Sequence, residues 1–231
     1  MIRWRIDGVD AVVTDRHGGE SAGPYESLNL GLHVGDHPDL VHVNRERAVG
    51  LVGGVLDELA WCTQVHGRSV VLVDGPGHAG DADALVTTTP GVVLMVLMAD
   101  CVPILLVGDG VIATVHAGWR GTVADVAGAT VDVMRSLGAD GDIRAYLGPA
   151  VPAERYQVGP EVVAAADRAG LADAIADGEH FDLWAANRVL LERAGVVDVD
   201  TSGCVPTGDD YYSDRLVRPC GRFGLLARLR P

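Results

Sequence analysis

The chain has 231 residues, 48% of them hydrophobic and 22% charged, a balance that fits a globular fold with a sizeable core and excludes disordered, collagenous and fibrous classes. Its 18 basic residues are all arginine, which excludes Schiff-base lysine chemistry and the phosphate-loop lysine of Walker-type nucleotide hydrolases and ordinary kinases. A formal net charge of −14 argues against nucleic acid or an anionic membrane as partner.

The first residues, MIRWRIDGVDAVVTD, lack the apolar stretch and small-residue cleavage site of a secretory signal, which predicts a cytoplasmic protein. Short β-prone runs at 2–7 and 10–14 lead into a Gly-rich loop, HGGESAGPYESLNLGLHVGD (17–36), too long for a passive connector and therefore a candidate for function. Asp36 followed by Pro38 predicts a helix start, with the helix running to about Leu51 and carrying Asn44 and Arg45 in its middle. Six apolar runs follow, at 59–63, 69–73, 82–87, 92–98, 103–107 and 111–115, and their near-continuous hydrophobicity predicts strands covered on both faces. The most apolar stretch, Val92 to Val107, is interrupted by Asp100 and Pro103 and falls short of the roughly 20 residues that a membrane helix requires.

After His116 the period changes. Val123, Val126, Ala127, Thr130, Val133, Met134 and Leu137 recur at helical spacing, with Thr122 and Asp125 resembling a capping box. A strand at 143–147, helices at about 160–169 and 181–194 ending at Gly170 and Gly195, and a last strand at about 224–229 complete the reading. The pattern predicts a single α+β domain over residues 1–231, a mixed sheet in α/β/α layers.

Three segments place a soft or borderline metal ligand beside glycine or a charged group: QVHG (64–67) with His66, ADCVP (99–103) with Cys101, and HAGWRG (116–121) with His116. A hairpin whose two-residue loop is Gly108 and Asp109 sets Cys101 opposite His116, with Cβ atoms about 5 Å apart. That is close enough for a shared metal or a thiolate–imidazole pair. A helix starting near Thr122 aims its N-terminus at the same corner, and Arg120 adds a bidentate donor for phosphate or carboxylate. Cys62, Cys101, Cys204 and Cys220 show no close spacing, so any important cysteine acts alone. His33, His37 and His42 read as loop and surface residues rather than as a second metal cluster.

The run SLNLG (27–31), HVGD (33–36), NR (44–45), QVHG, DADALVT (81–87), ADCVPILL (99–106), HAGWRGT (116–122) and GP with Tyr156 and Gly159 (148–159) resembles the YfiH-type, laccase-domain or "polyphenol oxidase" family. FDLW with Asn187 (181–187), Gly203-Cys204, Tyr212 to Arg215 and Gly221-Arg222-Phe223 extend the likeness over essentially the whole chain. The resemblance implies a fold related to the cytotoxic-necrotizing-factor type of cysteine hydrolase. It also implies a zinc site made by His66, Cys101 and His116, three ligands with a fourth position open, as in catalytic zinc sites. Many members carry a Cys-Cys pair before the tyrosine of the GP segment, where this chain has Glu154-Arg155.

Members similar to this chain are described as purine nucleoside enzymes that phosphorolyse adenosine, inosine, guanosine and methylthioadenosine and deaminate adenosine. The resemblance thus implies a nucleoside and phosphate as partners; phosphorolysis needs a held anion and a proton donor for the leaving base, for which the candidates are Arg45, Gln64 and Arg120 as binding residues and Cys101, His116 and Asp100 as catalytic ones. For Arg45 a helix-surface charge is the competing reading. Two other activities fit the same residues. One is a cysteine or zinc amidohydrolase that edits a cell-wall nucleotide-sugar precursor. The other is the copper phenol oxidase of the older family label, for which a His-Cys-His site can take copper. True laccases, however, use a type 1 copper and a trinuclear cluster built largely on His-x-His pairs, and the 8 histidines here form no such pair.

Overall fold

The computed structural model describes residues 1–231. Its strands are, in chain order, β1 (Ile2–Arg3), β2 (Val9–Val13), β3 (Leu59–Thr63), β4 (Val70–Leu72), β5 (Gly77–Asp81), β6 (Ala84–Thr87) and β7 (Val93–Met98). After them come β8 (Val102–Gly108), β9 (Val111–Ala117), β10 (Arg144–Leu147), β11 (Ile175–Ala176), β12 (His180–Phe181), β13 (Asp198–Asp200) and β14 (Phe223–Leu229). The helices are α1 (Pro38–Gly50), α2 (Trp119–Val123), α3 (Val126–Ser136), α4 (Pro160–Arg168) and α5 (Leu183–Arg193).

The strands form two six-stranded mixed sheets, ordered β1-β2-β14-β7-β3-β5 and β13-β10-β8-β9-β6-β4. The sheets pack against each other, and helices cover their outer faces. The architecture therefore has two sheet layers where a single sheet between helices was expected. The apolar runs explain it, because alternate residues of a strand serve different cores. On β7, Leu94, Val96 and Met98 meet Leu85, Leu105 and Ile112 of the second sheet, while Val93, Met95 and Leu97 meet Ala48 and Val49 of α1. On β8, Leu105 points to the first sheet and Ile104 and Leu106 to the helical layer of α3 and α5. Both faces are covered, as the hydrophobic pattern requires, but a second sheet covers one of them.

The β8–β9 hairpin turns at Asp109-Gly110, with Gly108 paired to Val111 and Pro103 paired to His116. This corrects the expected register by two residues. Gly110 takes a positive φ (68°) and belongs inside the turn, whereas Gly108 is the last residue of β8. A slip of two residues preserves facing, because side chains alternate with period two. Cys101 thus stays on the side of His116, one residue before β8 begins.

The expected capping box is also revised. The helix after His116 starts at Trp119, with Gly118 as its N-cap, so Thr122 lies within it. Asp125, in the left-handed region at φ 63°, breaks it from α3, and its side chain accepts from the Gly128 N–H. An Asp is one of the few residues that visit this region readily, and here its carboxylate caps the second helix. Polar or short β5, β11, β12 and β13 carry too little hydrophobic alternation to be read from sequence, and α5 starts at Leu183 after an Asp182 cap rather than at Phe181.

Candidate metal centre and active-site cleft

The chain crosses from the first sheet to the second between β7 and β8, and Ala99-Asp100-Cys101 makes that crossing. His66 lies three residues beyond β3, and His116 is the penultimate residue of β9. The two sheets deliver all three residues to one corner: the His66, Cys101 and His116 donor atoms lie within 4.8 Å of one another. The imidazoles meet edge to face, with centroids 4.7 Å apart at 85°. His116 is buried, Cys101 partly so and His66 exposed, which makes the corner the floor of an open site rather than a closed structural one.

Asp83 assembles it. Fully buried just before β6, it sits beside His116, whose backbone N–H donates to the Asp83 carbonyl at 2.8 Å. One oxygen of the Asp83 carboxylate accepts from His116 Nδ1–H (2.8 Å) and from the His66 N–H (2.9 Å), while the other accepts from the Gly67 N–H (2.6 Å). With Nδ1 committed to Asp83, His116 presents Nε2 to the site. The two backbone bonds hold His66 in the left-handed region, at φ 57°. Burial opposes ionisation of Asp83, but these donors outweigh it and keep its carboxyl below the usual carboxylate range.

Burial likewise pushes the Cys101 thiol up and the His116 imidazole down. Their attraction to each other, helped by His66 on Cys101 and by Asp83 on His116, overcomes it. Cys101 ends below an ordinary thiol and His116 above an ordinary imidazole. Both shifts favour charge separation between the thiol and the imidazole, and a metal ion bound there would displace protons that these groups carry.

The donor set fits a metal ion. One thiolate and two imidazoles suit zinc or copper, and three protein ligands leave a coordination position open. Gly118 makes room: a Cβ there meets Cys101 Sγ at 2.9 Å and His66 Cδ2 at 3.1 Å. No other group of three or more His, Cys, Asp or Glu side chains converges in this way, and His33, His37 and His42 form none.

The corner opens into a cleft of about 610 Å³ lined by Leu32, His33, Arg45, Trp61, Gln64, Leu97, Asp214 and Arg222, among others. Of the predicted binding residues, Arg45 and Gln64 are in it. Arg45 is buried rather than a surface charge, donating Nε to the Leu30 carbonyl (2.9 Å) with its guanidinium carbon 5.6 Å from the Trp61 ring centre. Gln64 uses both ends of its amide on the Leu97 backbone, donating to the carbonyl (2.6 Å) and accepting from the N–H (2.7 Å).

Arg120 and Asp100 are placed elsewhere. Arg120 is exposed and lies over the Trp119 ring at 4.3 Å. Asp100 is buried behind Cys101, where one oxygen accepts from the Thr207 (2.7 Å) and Ser213 (2.6 Å) hydroxyls and the other from the Arg215 N–H (2.7 Å). It ties the C-terminal segment to the crossing. Asp83, His33, Trp61, Asp214 and Arg222 escaped the sequence reading as site residues. For His33, Asp83, Asp214 and Arg222 the signal was present, since they lie in the recognisable motifs HVGD, DADALVT, Tyr212 to Arg215 and Gly-Arg-Phe, whereas Trp61 lies in none.

The model of the multi-copper polyphenol oxidoreductase laccase family matches residues 10–230. The chain belongs to this family. Within the YfiH-type laccase family it is 45% identical to a purine nucleoside phosphorylase of Deinococcus radiodurans over 219 residues, 92% of this chain and 85% of that protein. It is 37% identical to purine nucleoside phosphorylase YfiH of Escherichia coli, covering 94% and 92% of the two chains. A Neisseria meningitidis protein of known structure superposes with a TM-score of 0.83 at 33% identity, covering 98% of this chain and 96% of that one. YfiH of Bacillus licheniformis superposes with a TM-score of 0.85 at 29% identity, covering 96% and 93%. The family's mixed α/β fold is therefore the fold of this chain, and no helix in it is long and apolar enough to cross a membrane.

Proposed function

We propose that this chain is a zinc-dependent purine nucleoside phosphorylase that also deaminates adenosine. The observation that carries the reading is the convergence of His66, Cys101 and His116 at the floor of a cleft large enough for a nucleoside, in a chain whose relatives bear that activity in their names. Zinc held by the three side chains supplies, when bound, a Lewis acid and a means of activating water.

The rest is the work of the chain's own residues. In phosphorolysis the bond from ribose C1′ to the purine nitrogen breaks with its electron pair going to the base. A phosphate oxygen bonds to C1′, and the base takes up a proton. Trp61, Leu32 and Leu97 give the cleft apolar surface for the purine, and Arg45 gives it positive charge for the anion. Asp83 keeps the His116 proton on Nδ1 and both histidine segments in place. The Asp100 carboxylate, taken up by three donors, acts by holding the Cys101 loop rather than by exchanging protons with substrate.

The copper reading rests on the family's description and on the affinity of such donors for copper. A single group of three donors falls short of the type 1 and trinuclear centres of a multicopper oxidase. The test is incubation with inosine, guanosine, methylthioadenosine and adenosine, with and without phosphate, and chromatography of the products. We expect free base and ribose 1-phosphate only when phosphate is present, and inosine from adenosine without it. Zinc-loaded protein that releases no base in phosphate refutes the phosphorylase reading and makes the precursor amidohydrolase the activity to assay.

A further inference from the structure

Arg45 is the only arginine of the chain that is buried, at 4% exposure. Its single hydrogen bond runs from Nε to the Leu30 carbonyl, it makes no ion pair, and its two remaining nitrogens have no partner. The half-buried arginines are treated differently. Arg228 is paired with Asp10 and Glu58, and Arg222 with Asp214 at 3.3 Å. A guanidinium taken out of water without a carboxylate costs stability, and burial lowers the proton affinity of Arg45 to about 10. Such a group is retained where an anion visits.

The surroundings point the same way. Arg45 lines the cleft beside Arg222 and the exposed His33, and the imidazole of His33 is held below its ordinary value by its partial desolvation against the cleft and then by the Arg222 and Arg45 charges. Asp214, the one carboxylate in the lining, is engaged by Arg222 and Arg218. In a chain of net charge −14, the cleft that holds the triad is lined by two guanidiniums against one carboxylate, and that carboxylate is paired to Arg222, which leaves Arg45 as the uncompensated charge. The alternative cradle expected from sequence is weak: α2 has only five residues, and Arg120 lies outside the cleft.

We propose that Arg45, flanked by His33 and Arg222, is the subsite for free inorganic phosphate, separate from the metal ligands. The inference deepens the phosphorylase reading and rests on it for the identity of the anion. A tetrahedral oxyanion can also arrive as the 5′-phosphate of a nucleotide, so the experiment includes both.

Inorganic phosphate is titrated calorimetrically into the zinc-loaded protein, Arg45→Gln, Arg45→Lys and Cys101→Ala, with thermal melting of each to establish folding. The affinity for phosphate falls at least about tenfold in Arg45→Gln, as expected for losing a charged hydrogen bond, and less in Arg45→Lys, which keeps the charge. Cys101→Ala still binds phosphate. In turnover, the KM for phosphate rises at least about tenfold in Arg45→Gln while that for inosine changes little. If Arg45→Gln does not fold, phosphate stabilisation of melting is compared among wild type, Arg45→Lys and Cys101→Ala, and stabilisation of Arg45→Lys equal to that of wild type overturns the proposal.

Unchanged phosphate affinity in Arg45→Gln overturns the proposal, as does loss of phosphate binding in Cys101→Ala, which puts the anion on the metal. Inosine 5′-monophosphate that competes with phosphate through Arg45, in a protein where inosine and phosphate do not bind together, assigns the subsite to a nucleotide instead. Phosphate bound through Arg45 with no nucleoside consumed sinks the phosphorylase reading and leaves the subsite standing.

Discussion

Asp83 shows how much of the site depends on one side chain that does not itself touch the cleft. Its two oxygens accept hydrogen bonds from the ring N–H of one histidine and from two backbone N–H groups in the segment of the other, so a single buried carboxylate fixes the tautomer of His116 and the turn of His66. Asp83→Asn keeps the volume but turns one acceptor into a donor facing donors. We expect zinc affinity to fall about 10–100-fold, measured by competition with a chelator, because outer partners of a ligating histidine set its orientation and basicity. Unchanged affinity would reduce Asp83 to a structural residue. At Gly118, a methyl group meets Cys101 Sγ at 2.9 Å, so Gly118→Ala is expected to bind substoichiometric zinc by elemental analysis while melting near wild type. Full zinc occupancy in that variant contradicts the close approach described here.

At the level of elements, the triad was legible because each ligand ends or follows an apolar run and sits in a compact motif. The geometry linking Cys101 to His116 was legible only in its parity. Which of Gly108, Asp109 and Gly110 form the turn depends on which glycine takes positive φ, and a sequence with glycine on both sides of an aspartate does not say. The break between α2 and α3 was hidden for a related reason, since Asp125 satisfies both a capping pattern and a left-handed turn. Its two roles predict a stability pattern in urea unfolding. Asp125→Ala costs about 1–2 kcal/mol, from the lost cap and the strain of alanine at φ 63°. Asp125→Gly, which relaxes the strain, costs less. Equal costs contradict the assignment of strain to that residue. Charged and tertiary features stayed out of reach: nothing local tells that Arg45, in the middle of a helix, turns inward beneath Leu30.

For the whole molecule, continuous apolar strands announce burial on both faces without saying what does the burying. Helix on one side and sheet on the other, or helix on both, leave the same pattern in a strand. Here the sheet-to-sheet layer holds Leu94, Val96, Leu105, Ile112 and Phe223, and it fixes where β7 hands the chain to β8 at the triad. Truncation in that layer removes packing that no solvent replaces. Leu105→Ala is expected to destabilise by about 2–5 kcal/mol in urea, and Leu72→Ala, 51% exposed on the β4 edge, by no more than about 0.5 kcal/mol. Comparable losses at both positions would contradict a core between the sheets.

Turnover in this chain depends, on the reading proposed above, on the triad being a metal centre. The decisive measurement is zinc content and phosphate-dependent release of hypoxanthine from inosine, made on the same preparations of wild type and Cys101→Ala. We predict close to one zinc per wild-type chain with base release, and loss of both together in the variant. Cys101→Ala that releases base at the wild-type rate, or that retains its zinc in full, contradicts the central claim.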